Sequence, residues 1–485
     1  MGMKAKPKHL LVSNLKSKPK CWAPWINLYA AQRPEHWRMK VCCLSEEVTE
    51  VSDVDHIDEY FNSDYVKDVT EKLQQDKFPE SCRRCEFNAD LNIYDDIAGY
   101  EFQILKLRHK KRLYKNEDDL KNFVKTQQLG GKQEGRSQRV PLGVREEFKK
   151  LSLDDIKEIL STEDDKFVML DLRPGNLCNL KCRMCNMQSS TEIAKENIEL
   201  QKDQSFVDKL KKLDEEKEIG ITQKLGKMDL LQKLSKNYTS TEEHKEEIYK
   251  LFDYANLRRL KLLGGEPSID PTIISILKQL KDNDFTKNDD FRLQITSNLT
   301  NVNKIWIDYF ELFNVKLTIS MDGAGRTYEY IRTPFKWKAL KKNIHKVPEN
   351  LYKDMSINLV GSNLLFLDIK EWFTELANIH KEVPFYINYV RCEEPPYLSL
   401  KAIPMKYKQK IRQDIISLKE QYNDNNSMYS LLLSFEMDLD KHIRDDTFDP
   451  KYLSQFFLIN LKQDELRKQN LFDINYTKEI YNDIN

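Results

Sequence analysis

From about residue 166 onward, six short apolar runs recur along the chain, separated by longer helical stretches. They are FVMLDLRP (167–174), LRRLKLLGG (257–265), FRLQITSN (291–298), VKLTISMDG (315–323), MSINLVGSN (355–363) and PFYINYVRC (384–392). Amphipathic segments such as PTIISILKQLKDN and KIWIDYFELF lie between them. Strands alternating with helices predict an α/β fold whose parallel sheet is built from βα units. Six units predict a partial barrel of the (β/α)6 kind, TIM-like but short of the complete eight-stranded form.

The nine cysteines divide the chain further. Cys21, Cys42, Cys43, Cys82 and Cys85 fall in the first 90 residues, Cys178, Cys182 and Cys185 form a tight second group, and Cys392 stands alone. A length of 485 residues suggests about three domains. The expected boundaries are a cysteine-bearing module over 1–100, a charged connector over 101–165, the barrel over 166–400 and a helical extension over 401–485. The connector holds the glycine-containing LGGKQEGRSQR. A Lys/Glu-rich stretch near 191–250, interrupted by Gly220 and Gly226, reads as a helical insertion between the first two barrel strands.

Charge and hydropathy then limit the partners. Lys+Arg and Asp+Glu balance at 78 each, so no basic surface argues for nucleic acid. The amino terminus MGMKAKPKHLLVSNLKSKPK lacks an apolar core of signal-peptide length, and nothing approaches the ~18 apolar residues of a membrane span. A cytoplasmic chain is expected, without a membrane partner. Cysteines in that compartment read as metal or catalytic ligands before disulfides.

In DLRPGNLCNLKCRMC, Cys178, Cys182 and Cys185 have the spacing C-x3-C-x2-C, directly after the first barrel strand. Three thiolates can hold three irons of a [4Fe–4S] cluster and leave the fourth iron open for chemistry. A zinc site with a fourth ligand from elsewhere is the alternative. The loop's place at a strand's C-terminal end is where such barrels keep their active sites.

These motifs in this order resemble the radical S-adenosylmethionine (radical SAM) superfamily. Gly264-Gly265-Glu266-Pro267 matches that family's GGE motif, whose sheet edge meets the methionyl amino group of SAM. Ser297 and Asn298 stand where the family contacts the SAM ribose or carboxylate, and SMDG with Ser320 and Asp322 matches a recurrent pattern. Asn363 sits where the family often has an asparagine. Met184 replaces the aromatic residue usual before the third cysteine; its thioether can pack on an adenine ring.

The amino-terminal cysteines resemble the "twitch" or truncated SPASM module, which carries an auxiliary [4Fe–4S] cluster. GRSQR (135–139), EYIRTPFKW (329–337) and DELRKQN (464–470) resemble a group of radical SAM proteins in which that module precedes the barrel. The resemblance implies Cys21, Cys42, Cys82 and Cys85 as ligands, with Cys43 as the alternative; a four-cysteine zinc site remains open. The family's glycine before the double cysteine is missing, with Trp37 near its place, and the segment between Cys85 and GRSQR is longer than usual.

Cys392 closes the sixth run. It reads either as a hydrogen-atom donor of the kind some radical SAM epimerases use, or as a small buried hydrophobe. Arg183 and Lys181 read as surface charges. The resemblance implies an enzyme that reductively cleaves SAM and abstracts a hydrogen atom. A peptide or protein substrate ranks first and a small molecule such as a sugar, amine or nucleoside second, with flavodoxin or ferredoxin as electron donor. The rival is a zinc-stabilised, non-catalytic binding protein, which accounts for the cysteines but not for GGEP and SMDG at strand ends.

Overall fold

The structure is a computed structural model describing residues 21, 23–43, 45–75, 77–82, 167–215, 225–239, 241–287 and 291–484. Cys85, GRSQR and the 101–165 connector lie outside the described residues. The strands are β1 (Asn27–Gln32), β2 (Trp37–Lys40), β3 (Thr49–Val51), β4 (Phe167–Arg173), β5 (Lys181–Cys182), β6 (Ala255–Leu262), β7 (Arg292–Ser297), β8 (Val315–Ser320), β9 (Arg332–Thr333), β10 (Ser356–Gly361) and β11 (Tyr386–Arg391).

Nine of them form one sheet in the order β11-β10-β8-β7-β6-β4-β1-β2-β3. All six apolar runs are strands, and each pairs in parallel with the next in sequence. The α/β class and the parallel sheet thus follow from the sequence pattern. The order is open, with β11 at one edge and β3 at the other, which suits a partial barrel.

The addition at the β4 edge was not foreseen. β1 pairs in parallel with β4, matching Leu28 to Leu170, and β2 and β3 continue antiparallel. The described part of residues 1–100 therefore extends the barrel sheet rather than standing apart from it.

Alternation along the strands separates two faces. Leu170, Leu172, Leu260, Leu262, Leu293, Ile295, Leu317 and Ile319 are buried in the core beneath the helices. Asp171, Lys261, Gln294 and Lys316 stand side by side on the opposite face, one per strand. There Arg259 Nη2 donates to Asp171 Oδ1 at 2.7 Å and to Asn27 Oδ1 at 3.2 Å, so β1 joins the polar interior as well as the ladder.

The crossover helices start on short polar caps. Asp270 Oδ1 accepts the Thr272 N–H ahead of Pro271–Asp282, and Asn303 Oδ1 accepts the Trp306 N–H ahead of Lys304–Leu312. Each such cap is worth ~1 kcal/mol. Between β4 and β6 lie the helices Thr191–Gln201, Gln204–Glu215, Met228–Leu234 and Glu242–Asp253. After β11 come the long helices Met405–Gln421, Asn426–Arg444 and Pro450–Arg467. No helix among the described residues is long and apolar enough to cross a membrane.

Candidate active site at the strand ends

The loop after β4 carries Cys178, Cys182 and Cys185, and backbone and side-chain hydrogen bonds together set its path. Gly265 N donates to Gly175 O at 3.1 Å and Glu266 N to Leu177 O at 2.7 Å, zipping the GGEP turn onto the cysteine loop. The fit requires glycine: a Cβ on Gly265 would stand 2.0 Å from the Leu177 carbonyl oxygen, and Gly264 has φ +129°. The Thr191 hydroxyl donates to Cys178 O at 3.1 Å and accepts Cys178 N–H at 3.3 Å. Cys182 lies in β5, which pairs antiparallel with β9, Cys182 opposite Arg332.

Burial pushes all three thiols up, Cys185 to about 12. Neighbouring thiols add to the rise, Cys182 and Cys185 acting on Cys178 and Cys182 acting on Cys185. Thiols packed this way need a cation among them before all can be thiolates, and a coordinating metal deprotonates a thiol outright. Among the described residues, no three His, Cys, Asp or Glu side chains converge on a single ion. Three cysteines on one loop are the donor set that a cluster takes, one thiolate to each of three irons.

The carboxylates of the neighbouring motifs are engaged by the protein itself. Glu266 is buried, and it accepts Ser297 Oγ–H and Asn298 N–H at 2.6 Å each and Ser268 N–H at 3.1 Å. Burial raises its pKa, and these hydrogen bonds oppose the rise. Asp322 is fully buried and accepts Arg332 Nε–H at 2.7 Å and Val360 N–H at 2.9 Å. Arg332 thus meets a carboxylate beside Cys182.

Other positions keep polar atoms near the mouth. The Asn298 amide donates to Asn179 Oδ1 at 3.1 Å and stands 4.0 Å from Cys178 Sγ. Asn363 Nδ2 donates to Tyr397 O at 2.9 Å, while its Oδ1 is buried with no hydrogen-bond partner. Ser320 ends β8 half-buried, opposite Asn358. Sequence reasoning did not single out Tyr328, whose hydroxyl is buried without a partner among Arg332, Cys182 and Asp322. Its one signal was its place just ahead of EYIRTPFKW.

Met184 and Cys185 line a cavity of about 170 Å³ together with Leu200, Phe206, Tyr397 and Ile459. Cys392 is buried just past β11 and its thiol contacts Glu394 O at 3.7 Å.

Burial raises the pKa of Tyr65, with Cys42 and Cys82 adding to the rise; its hydroxyl contacts Ser45 Oγ at 2.6 Å, and Glu46 N donates to Ser81 O at 3.0 Å. Burial raises the pKa of Cys43, which also lies in the field of Lys261, Asp171, Arg259 and Arg173. Cys21 is half-buried against the core.

Of the two expected surface charges, Arg183 is not on the surface and Lys181 is only partly so. Arg183 is buried and paired with Asp464, and half-buried Lys181 lies 4.0 Å from the buried Glu196.

Residues 172–365 match the Radical SAM superfamily. No curated protein matches the whole sequence significantly. Among solved structures, the chain is similar to anSMEcpe with bound AdoMet, at 16% identity and TM-score 0.35 over 53% of this chain and 62% of that one. It is also similar to Streptococcus suis SuiB bound to precursor peptide SuiA, at 11% identity and TM-score 0.33 over 59% and 53%. The chain spans less than two thirds of the length of either.

Proposed function

The chain carries a radical SAM domain over residues 172–365 and so is an enzyme, and from that premise we propose that it abstracts a hydrogen atom from a peptide or protein substrate. The observation that carries the chemistry is the union of Cys178, Cys182 and Cys185 with the GGEP turn at the C-terminal ends of β4 and β6. Cys178, Cys182 and Cys185 would hold the [4Fe–4S] cluster. Held there, such a cluster would supply the electron for reductive cleavage of SAM, the source of the hydrogen-abstracting radical.

The chain's own residues bind and orient. The backbone of Leu263, Gly264 and Gly265, not the Glu266 carboxylate, is left to meet the SAM ammonium, since Glu266 holds three protein donors. Asn298 and Ser320 offer polar atoms to ribose or carboxylate, and Asn363 Oδ1 offers a buried acceptor. Met184 supplies a polarizable surface for the adenine. Asp322 positions Arg332 and the β10 backbone.

A second cluster on Cys21, Cys42, Cys82 and Cys85 completes the reading, serving electron transfer. Cys42 and Cys82 both act on Tyr65, which supports Cys42 as the ligand. Peptide ranks above small molecule because twitch and SPASM relatives most often modify peptides. A flavodoxin or ferredoxin is the proposed donor, and Cys392 a hydrogen-atom donor only if substrate reaches its buried thiol.

The test is 5′-deoxyadenosine release from SAM by anaerobically reconstituted protein given dithionite, against Cys182→Ala. Release by the wild type alone supports the reading. Equal, background-level release from both proteins, with iron confirmed, sinks it.

A further inference from the structure

Arg183, the residue after Cys182 and two before Cys185, is the most heavily bound side chain at the site. Its side chain has no exposure, and that of its partner Asp464 has 7%. Nη2 pairs with Asp464 and donates to Gln469 Oε1 at 3.0 Å. Nη1 donates to Asn460 Oδ1 at 2.7 Å and Gln463 Oε1 at 3.2 Å, and Nε donates to Tyr330 O at 3.1 Å. The guanidinium lies 3.7 Å from the centre of the Tyr330 ring. Every donor is met, in the planar fork that only arginine offers.

Four of these partners come from the Pro450–Arg467 helix and the turn after it, far along the chain from the loop they grip. The same helix makes a second buried attachment. Arg467 donates to Glu196 through Nε at 2.8 Å and Nη2 at 2.5 Å, both side chains essentially unexposed, and Lys181 approaches Glu196 from the cysteine loop. Asp464 also accepts Tyr330 Oη–H at 3.3 Å and the Leu471 N–H, closing the turn over the guanidinium. Arg467 and Arg332 both lie in the electrostatic field of Cys182.

We propose that Arg183 is a positioning residue through which the carboxy-terminal helix fixes the cysteine loop and sets the reduction potential of the cluster that loop holds. This rests on the radical SAM reading. Reduction adds one negative charge at the cluster. Arg183 adjoins Cys182 in the chain and is buried with Asp464, so a change in the pair's net charge, made in a low-dielectric setting, bears on that step. Potentials of such clusters follow net charge and hydrogen bonding around the sulfurs.

The experiment is an anaerobic redox titration followed by electron paramagnetic resonance on the full reconstituted chain. It reads the cluster whose signal changes when SAM is added. Asp464→Asn leaves the guanidinium unbalanced, so the midpoint potential rises. Arg183→Gln leaves the carboxylate unbalanced, so it falls, and the double variant returns toward the wild type. Arg183→Lys keeps the charge without the fork and serves where Arg183→Gln does not fold; it holds a potential near the wild type while Asp464→Asn raises it.

A purely structural clamp lowers the melting temperature and iron content of all variants and moves their potentials one way or not at all, which overturns the proposal. Arg183→Lys shifting as far as Asp464→Asn does so too. A wild-type chain with no SAM-responsive cluster overturns the underlying reading and this proposal with it. A responsive wild-type cluster with unmoved variants overturns this proposal alone.

Discussion

Ser297, at the end of β7, donates its hydroxyl to the Glu266 carboxylate at 2.6 Å, so the turn after β6 and the end of β7 are fastened by a single acidic side chain. The second Glu266 oxygen accepts Asn298 N–H at 2.6 Å. Glu266→Gln would set an amide N–H against at least one of these donors. Leaving a buried donor unmatched costs about 1–3 kcal/mol. A lower melting temperature is expected together with weaker SAM binding, read by thermal unfolding with and without SAM. A variant whose melting temperature matches the wild type would show that Glu266 does not fasten the two strands.

Gly265→Ala forces a methyl to within 2.0 Å of the Leu177 carbonyl, a backbone atom that cannot swing aside. The cysteine loop must then move. Iron bound after reconstitution should fall well below the wild-type value, while far-ultraviolet circular dichroism stays close to it. Full iron loading would contradict the close approach.

Iron and sulfide counting distinguishes the paired cysteines. Two [4Fe–4S] clusters hold about eight irons. Cys42→Ser should reduce iron toward about four per chain, and Cys43→Ser should leave it unchanged. The reverse pattern would transfer the ligand role to Cys43.

Lys408 is fully buried in the Met405–Gln421 helix, its ammonium 3.5 Å from the Thr447 hydroxyl, and burial lowers its pKa to about 8. Unfolded, it titrates near its ordinary 10.5. Below pH 8 both states carry the charge and the folded one bears its desolvation. Between pH 8 and 10.5 the unfolded chain binds the extra proton, so this cost fades as pH rises. Lys408→Met should therefore melt higher than the wild type at pH 7, with the gap closing toward pH 10.5. A gap independent of pH would show that packing, not charge, sets it.

The barrel strands were legible because each is a short apolar run ending in a polar or glycine-bearing turn, all within local reach. The cysteine spacing was legible for the same reason. β1 was not: NLYAAQ carries the same kind of apolar run, but its pairing with β4 crosses a long stretch of chain and leaves no local mark. Nor were the buried arginines. In sequence, Arg183 and Arg467 look like any charge on a helix or loop, and only the folded chain sets Asp464 and Glu196 against them. The carboxylates of GGEP and SMDG were found by position, but spacing could not show that protein donors fill them.

The parallel seat of β1 beside β4 bears on how the chain is made. As synthesis proceeds from the amino terminus, residues 27–51 leave the ribosome long before Phe167–Arg173 exist, so the first ribbon waits with one unsatisfied edge. Such long-range pairing is slow, and waiting edges invite aggregation. Expressed alone, residues 1–100 should be poorly soluble. A fragment starting at 160 should expose β4 as a sticky rim.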